Sequence, residues 1–470
     1  MAETALARAE ALRQSGRYAE AAELFRSILE ELDHPDILCG LANCLRHLGK
    51  PEEALELLEG VRSRLPRHEW ARREWVWAVY KARLAPAVAV GDVRAATEAA
   101  RSILDAGAEG LARKRACLAA ARAARTRKKW SVALEWTSQL DPEELDASPR
   151  HHLGKTLPSE REQWAMLHVR SLLETGRHDE AVKAAERELS HWPNQPHLRR
   201  WRAVALARLG QVEEALQELD DLCARAGEWY NFDALAEVAE SAGEIERALG
   251  AAARALCGKE PLPSKVNVLE RFARLSLAAG SAEDAFVSAR LAEVLRKERN
   301  WPVRESLRTL VRTASAACRV DALPAGKQAL LRRARAAWER RRSAGRPRSN
   351  GVVVDYKDGR RFAFIRNDAG ERIFVMASDL PAAARRVGAE VSFALEPSFD
   401  RKRNRRSVRA TDVRLRSAEA ETEGSEPGGT ARKAASERAT RPARRLGIRR
   451  SEGPADGERP DQGRQGRLDL

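Results

Sequence analysis

The sequence has no Cys-x-x-Cys pair, no histidine after His197, and only 5% aromatic residues. Its six cysteines, Cys39, Cys44, Cys117, Cys223, Cys257 and Cys318, all fall in stretches of helical periodicity. They read as small buried hydrophobes in a reducing compartment, not as a disulfide framework. His151-His152 has no cysteine or acidic partner at metal-ligand spacing, so no metal is expected. His-Glu-x-x-His, a phosphate-binding glycine loop, Gly-x-Ser-x-Gly and a dinucleotide fingerprint are all missing, so neither an enzyme nor a cofactor is expected. No apolar run reaches the roughly 18 residues that a membrane span needs. The start, Met1 to Leu6, lacks the basic-then-apolar order of a signal peptide, and the expected compartment is the cytoplasm.

What is present is charge, and it is localised. The formal net charge is +15, but residues 1–325 hold 49 basic and 49 acidic residues. Residues 326–416 hold 24 Lys+Arg against 10 Asp+Glu, and residues 417–470 hold 11 against 10. Positive charge confined to one segment favours a polyanionic partner for that segment.

The first two-thirds repeats. Gly16, Gly49, Gly176, Gly210, Gly243 and Gly280 each separate two helix-patterned segments, with spacings of 33, 34, 33 and 37 where consecutive. Ala21, Ala54, Ala181, Ala215, Ala248 and Ala285 follow them by five residues. A glycine lets a helix end with positive φ, and a small residue lets the next helix approach closely. Periods near 34 signal stacked helix hairpins. Arg17 to Phe25, Lys50 to Leu58 before Pro66, Arg177 to Val182 before Pro193, and Gln211 to Leu216 resemble the second-helix start of the tetratricopeptide repeat. That resemblance implies a groove, lined by the first helix of each hairpin, that takes a partner protein. Gly91 and Trp130 mark degenerate hairpins, and 141–158 reads as an insertion. Eight hairpins and a closing helix pair near 302–343 are expected. The eleven tryptophans, all in this part, suit packing between helices.

Beyond a final arginine-rich helix and a basic linker at 344–349, the period changes from helical to two. Strands are expected at 351–356, 361–367, 372–376, 389–396 and 406–415, which suggests a small barrel of the oligonucleotide-binding kind over 350–416. Arg360-Arg361-Phe362-Ala363-Phe364-Ile365 and Ile373-Phe374-Val375-Met376 alternate in parity. If Ala363, Ile365, Ile373 and Val375 fill the interior, Phe362, Phe364 and Phe374 face outward, and an exposed aromatic patch needs a ligand or a cover. These stretches resemble the two ribonucleoprotein motifs of bacterial cold-shock domains. The resemblance implies single-stranded RNA or DNA as ligand, stacked on Tyr356, Phe362, Phe364 and Phe374, with Met376 at the second motif's histidine position. Arg360, Arg361, Arg366, Arg401, Lys402, Arg403, Arg405 and Arg406 are the candidate phosphate contacts. Asp355, Met376 and Ala377 replace family stacking residues, and Asp355 opposes the arginines.

The whole reads as a multidomain adaptor: an all-α solenoid over 1–343, the linker, an all-β five-stranded barrel, and a tail at 417–470 too poor in apolar residues to fold. The alternative is a pure protein scaffold whose barrel is degenerate. A third expectation, a nucleic-acid path continuing from the barrel over the basic stretch 113–129, rests on Arg125, Lys128 and Lys129.

Overall fold

In the computed structural model, residues 2–152, 154–225, 227–318, 326–342, 346–400 and 405–416 are described. The expected tail at 417–470, the linker start at 344–345 and the candidates Arg401, Lys402 and Arg403 lie outside them.

Gly16 shows how the repeat is punctuated. Its φ of +80° lets the chain reverse while the amide of Arg17 donates to the Leu12 carbonyl at 2.9 Å, satisfying an orphan acceptor at the end of helix Ala2–Gln14. The next helix, Tyr18–Glu31, packs back through Ala21, which is fully buried. The same pairing recurs in eight hairpins, ending with Val266–Ala278 and Ala282–Glu298, and two closing helices, Glu305–Ala317 and Lys327–Arg341, follow. Each of the six alanines five residues after a repeat glycine is fully buried.

Two features depart from the repeat pattern. The first helix of the third hairpin runs from Glu69 to Val90 and contains a π-helical turn at Tyr80–Leu84, just before Pro86. Proline has no amide to donate and its ring crowds the preceding turn, so widening that turn accommodates it. The insertion folds as a short 3-10 turn at Pro142–Glu144 and a two-stranded hairpin, β1 (Arg150–His152) and β2 (Lys155–Leu157).

The barrel strands are β3 (Arg348–Asp355), β4 (Phe362–Asn367), β5 (Arg372–Met376), β6 (Glu390–Asp400) and β7 (Arg405–Leu415). They close in the order β3-β4-β5-β7-β6, all pairs antiparallel except β5 with β7. The interior is Val353, Ala363, Ile365, Ile373, Val375, Val391, Phe393, Ala410 and Val413. Gly351 marks the tightest crossing, since a Cβ there would lie 2.3 Å from the Arg366 carbonyl oxygen. β6 and β7 stay paired out to Asp400 and Arg405, so most of the loop expected at 397–405 is strand.

The barrel and the helices form one compact body through Arg416. β6 packs on helix Val212–Arg225, with the Arg225 guanidinium 4.3 Å over the Phe399 ring. Glu396, only 3% exposed, forms an ion pair with Arg254 of helix Ile245–Cys257. Both helices are the second members of their hairpins, so the barrel sits on the side of the solenoid away from its first helices.

Candidate nucleic-acid interface

Strand parity does what the alternation predicts. Ala363, Ile365, Ile373 and Val375 are buried, while Phe362 is 36% exposed and Phe364 and Phe374 are part-exposed. Phe364 lies directly across from Phe374, and Phe362 from Met376, so these side chains share the outer face. Phe362 and Phe374 stack at 5.9 Å between ring centroids, and Phe364 meets both edge-on at 5.9 and 6.0 Å. The result is a contiguous three-ring surface on the outside of a filled barrel.

Cations border it. The Arg360 guanidinium lies 5.0 Å over Phe362 and that of Arg372 lies 4.0 Å over Phe364. Asp355 accepts from both arginines, at 3.2 and 2.6 Å. It therefore does more than oppose the positive charge, because it fixes two guanidinium groups against the rings. Sequence reasoning missed Arg372 in this role, although its pairing opposite Arg366 follows from the strand alternation. Arg409 was missed as well. It pairs with Phe374 across β5 and β7, so it lies on the aromatic side, and it donates to Glu396 at 3.2 Å. Burial, the leading cause, lowers the pKa of Arg409 below the ordinary arginine range.

The remaining candidates divide. Arg361 and Arg366 are exposed and have no carboxylate partner among the described residues. Tyr356 is part-buried against the barrel core and its hydroxyl donates to Asp358 at 3.0 Å. Arg405 and Arg406 lie at the start of β7, where the backbone alone is described.

The arginine-rich last helix is partly engaged: Arg333 pairs with Glu283 at 2.5 Å, Arg340 with Asp284 at 2.8 Å and Arg341 with Glu246 at 3.3 Å, while Arg332 and Arg335 are exposed with no ion pair among the described residues. The paired arginines fasten the helix to the solenoid. The stretch 113–129 divides: Arg115, Arg122, Arg125, Lys128 and Lys129 have no carboxylate partner among the described residues, and its other cations donate to backbone carbonyls. Arg113 donates to the Gln139 carbonyl, Lys114 to that of Glu144, and Arg127 to those of Gly91 and Val90.

Residues 12–72 and 166–228 match family models for the tetratricopeptide repeat. A comparison with curated protein sequences finds no match. Among solved structures the chain is similar to a tetratricopeptide repeat protein from Parabacteroides merdae, with 14% identity over 67% of this chain and 98% of that one and a TM-score of 0.29. It is similar also to the human IFIT1 dimer with PPP-AAAA (12% identity, 71% and 80%, 0.37) and to a thermophilic protein of the repeat class from Thermus thermophilus (20% identity, 59% and 100%, 0.18). The chain carries tetratricopeptide repeats, built into a helical solenoid that ends in a closed five-stranded barrel.

Proposed function

We propose that this protein is an adaptor whose barrel binds single-stranded RNA or DNA while its solenoid groove binds a partner protein. The observation that carries the reading is the outward Phe362, Phe364 and Phe374 cluster flanked by Arg360 and Arg372. Rings stack on any base and guanidinium groups take phosphate, a chemistry that binds single strands with little sequence preference. In an oligonucleotide-binding barrel the second and third strands and the loops after the first and fourth form the binding face. Here β4 and β5 carry the rings, the first of those loops carries Arg360 and Arg361, and Arg401, Lys402 and Arg403 follow β6 in the sequence. The resemblance to cold-shock domains supports RNA as the natural strand.

Fluorescence-anisotropy titration tests this with an RNA oligonucleotide, a matched DNA strand and a duplex. The expected result is single-strand binding that weakens with salt and loses roughly 2–6 kcal/mol in Phe362→Ala/Phe374→Ala, at about 1–3 kcal/mol per stacked base. Binding equal in that variant, or none in the wild type, would leave the scaffold reading. The engagement of Arg333, Arg340 and Arg341 within the solenoid favours that second reading, because it removes cations otherwise free for phosphate.

A further inference from the structure

Residues 1–325 are neutral as a whole, but folding sorts their charges. A cavity of about 450 Å³ opens among the first helices of four successive hairpins, and Arg46, Lys81, Arg115 and Arg122 line it. Glu160 is its one acidic wall residue. Lys81, Arg115 and Arg122 have no carboxylate partner among the described residues, and Arg46 reaches Glu74 at 3.3 Å. The Nε atoms of Arg46 and Arg122 are shielded from solvent and hydrogen-bonded to nothing among those residues. A buried donor left unsatisfied costs about 1–3 kcal/mol, which a ligand acceptor would recover.

Aromatic surface adjoins these cations. Trp77 and Tyr80 line the same cavity, and the Arg115 guanidinium lies 5.7 Å over the Trp77 ring. Tyr80 and Lys81, which line the cavity, begin the π-helical turn. Such turns are uncommon and concentrate at functional sites.

The next cavity along the groove differs. There Arg170 pairs with Glu174 and Arg208 with Glu237 at 2.7 Å, and Asp233 adds a further acid to the wall, while Arg200 lines it without a carboxylate partner among the described residues. The first pocket sets three such cations against one acid, and that excess of positive charge suits a cluster of carboxylates. The barrel also docks on the second helices, away from this pocket.

We propose that the pocket receives an acidic peptide segment of a partner protein, with its carboxylates on Lys81, Arg115 and Arg122 and an adjoining apolar side chain on Trp77 and Tyr80. This rests on reading the groove as the protein-binding surface and is independent of the barrel's ligand. The test titrates full-length protein into a fluorescein-labelled decapeptide of alternating Glu and Leu, a Lys-for-Glu control peptide, and a single-stranded RNA decamer. The acidic peptide binds with affinity that falls as salt rises. It loses at least tenfold in Arg115→Glu/Arg122→Glu and about threefold in Lys81→Met, whose exposed site spares the fold, and it is unchanged in Phe362→Ala/Phe374→Ala. Acidic peptide bound no better than the basic control, or equally well by both pocket variants, overturns the proposal. RNA binding lost in the pocket variants and kept in the phenylalanine variant also overturns it, and would assign the pocket to nucleic acid.

Discussion

Asp355 stands beside Phe364 in the barrel sheet and takes Arg360 and Arg372 into ion pairs at 3.2 and 2.6 Å. Phosphate must compete with that carboxylate for both guanidinium groups. Asp355→Asn is therefore expected to tighten single-strand binding several-fold and to steepen its salt dependence, read by anisotropy at two salt concentrations, while weaker binding would show that orientation matters more than free charge. The outward rings themselves were legible in the sequence, because strand parity alone decides which side chains share a face. The pairing of the arginines was not. Arg372 and Asp355 are 17 residues apart, and their contact exists only once β3 and β4 are in register with β5.

At the scale of elements, the insertion after the fourth hairpin is held by charge. Arg161, at the start of helix Glu160–Glu174, donates to Glu143 of the 3-10 turn and to Glu188 of the following helix, at 2.8 and 2.9 Å. Glu188 is fully buried. Arg161→Met leaves that carboxylate with Arg187 alone, 2.9 Å away, and a loss of up to about 3 kcal/mol in denaturant unfolding is expected. Little change would mean that Arg187 alone holds Glu188. In the barrel, Gly351→Ala drives a methyl into the Arg366 backbone, so disruption of the β3–β4 pairing should abolish strand binding and leave the helical circular-dichroism signal in place. Repeat glycines and their alanines made the solenoid readable, since each marks a local steric requirement. The π-helical turn was not readable, because a proline inside a helical pattern fixes no single accommodation.

For the whole molecule, charge is used in three ways: in barrel cations near the rings, in arginines that bind the last helix to the solenoid, and in groove cations without carboxylate partners. Net charge by segment could not separate these, because it counts residues and not their partners. Acid sensitivity also belongs to the whole solenoid. Burial, the largest cause, pushes His168 and His197 down to a pKa of about 4. Both are neutral in the folded state and take up protons on unfolding, so their contribution is complete above about pH 6.5 and is lost as pH falls toward 4. A loss of roughly 2 kcal/mol per histidine is expected between pH 7 and 5. It should be smaller in His168→Gln by the same amount, measured as denaturation midpoints at both values.

The central claim is that the outer face of β4 and β5 contacts single-stranded nucleic acid. Photocrosslinking full-length protein to 4-thiouridine RNA, with the adducts mapped by mass spectrometry, addresses it directly. Adducts are expected within 360–366 and 372–376, disappearing under high salt. Adducts confined to the solenoid, or none at protein concentrations that saturate binding, would contradict it.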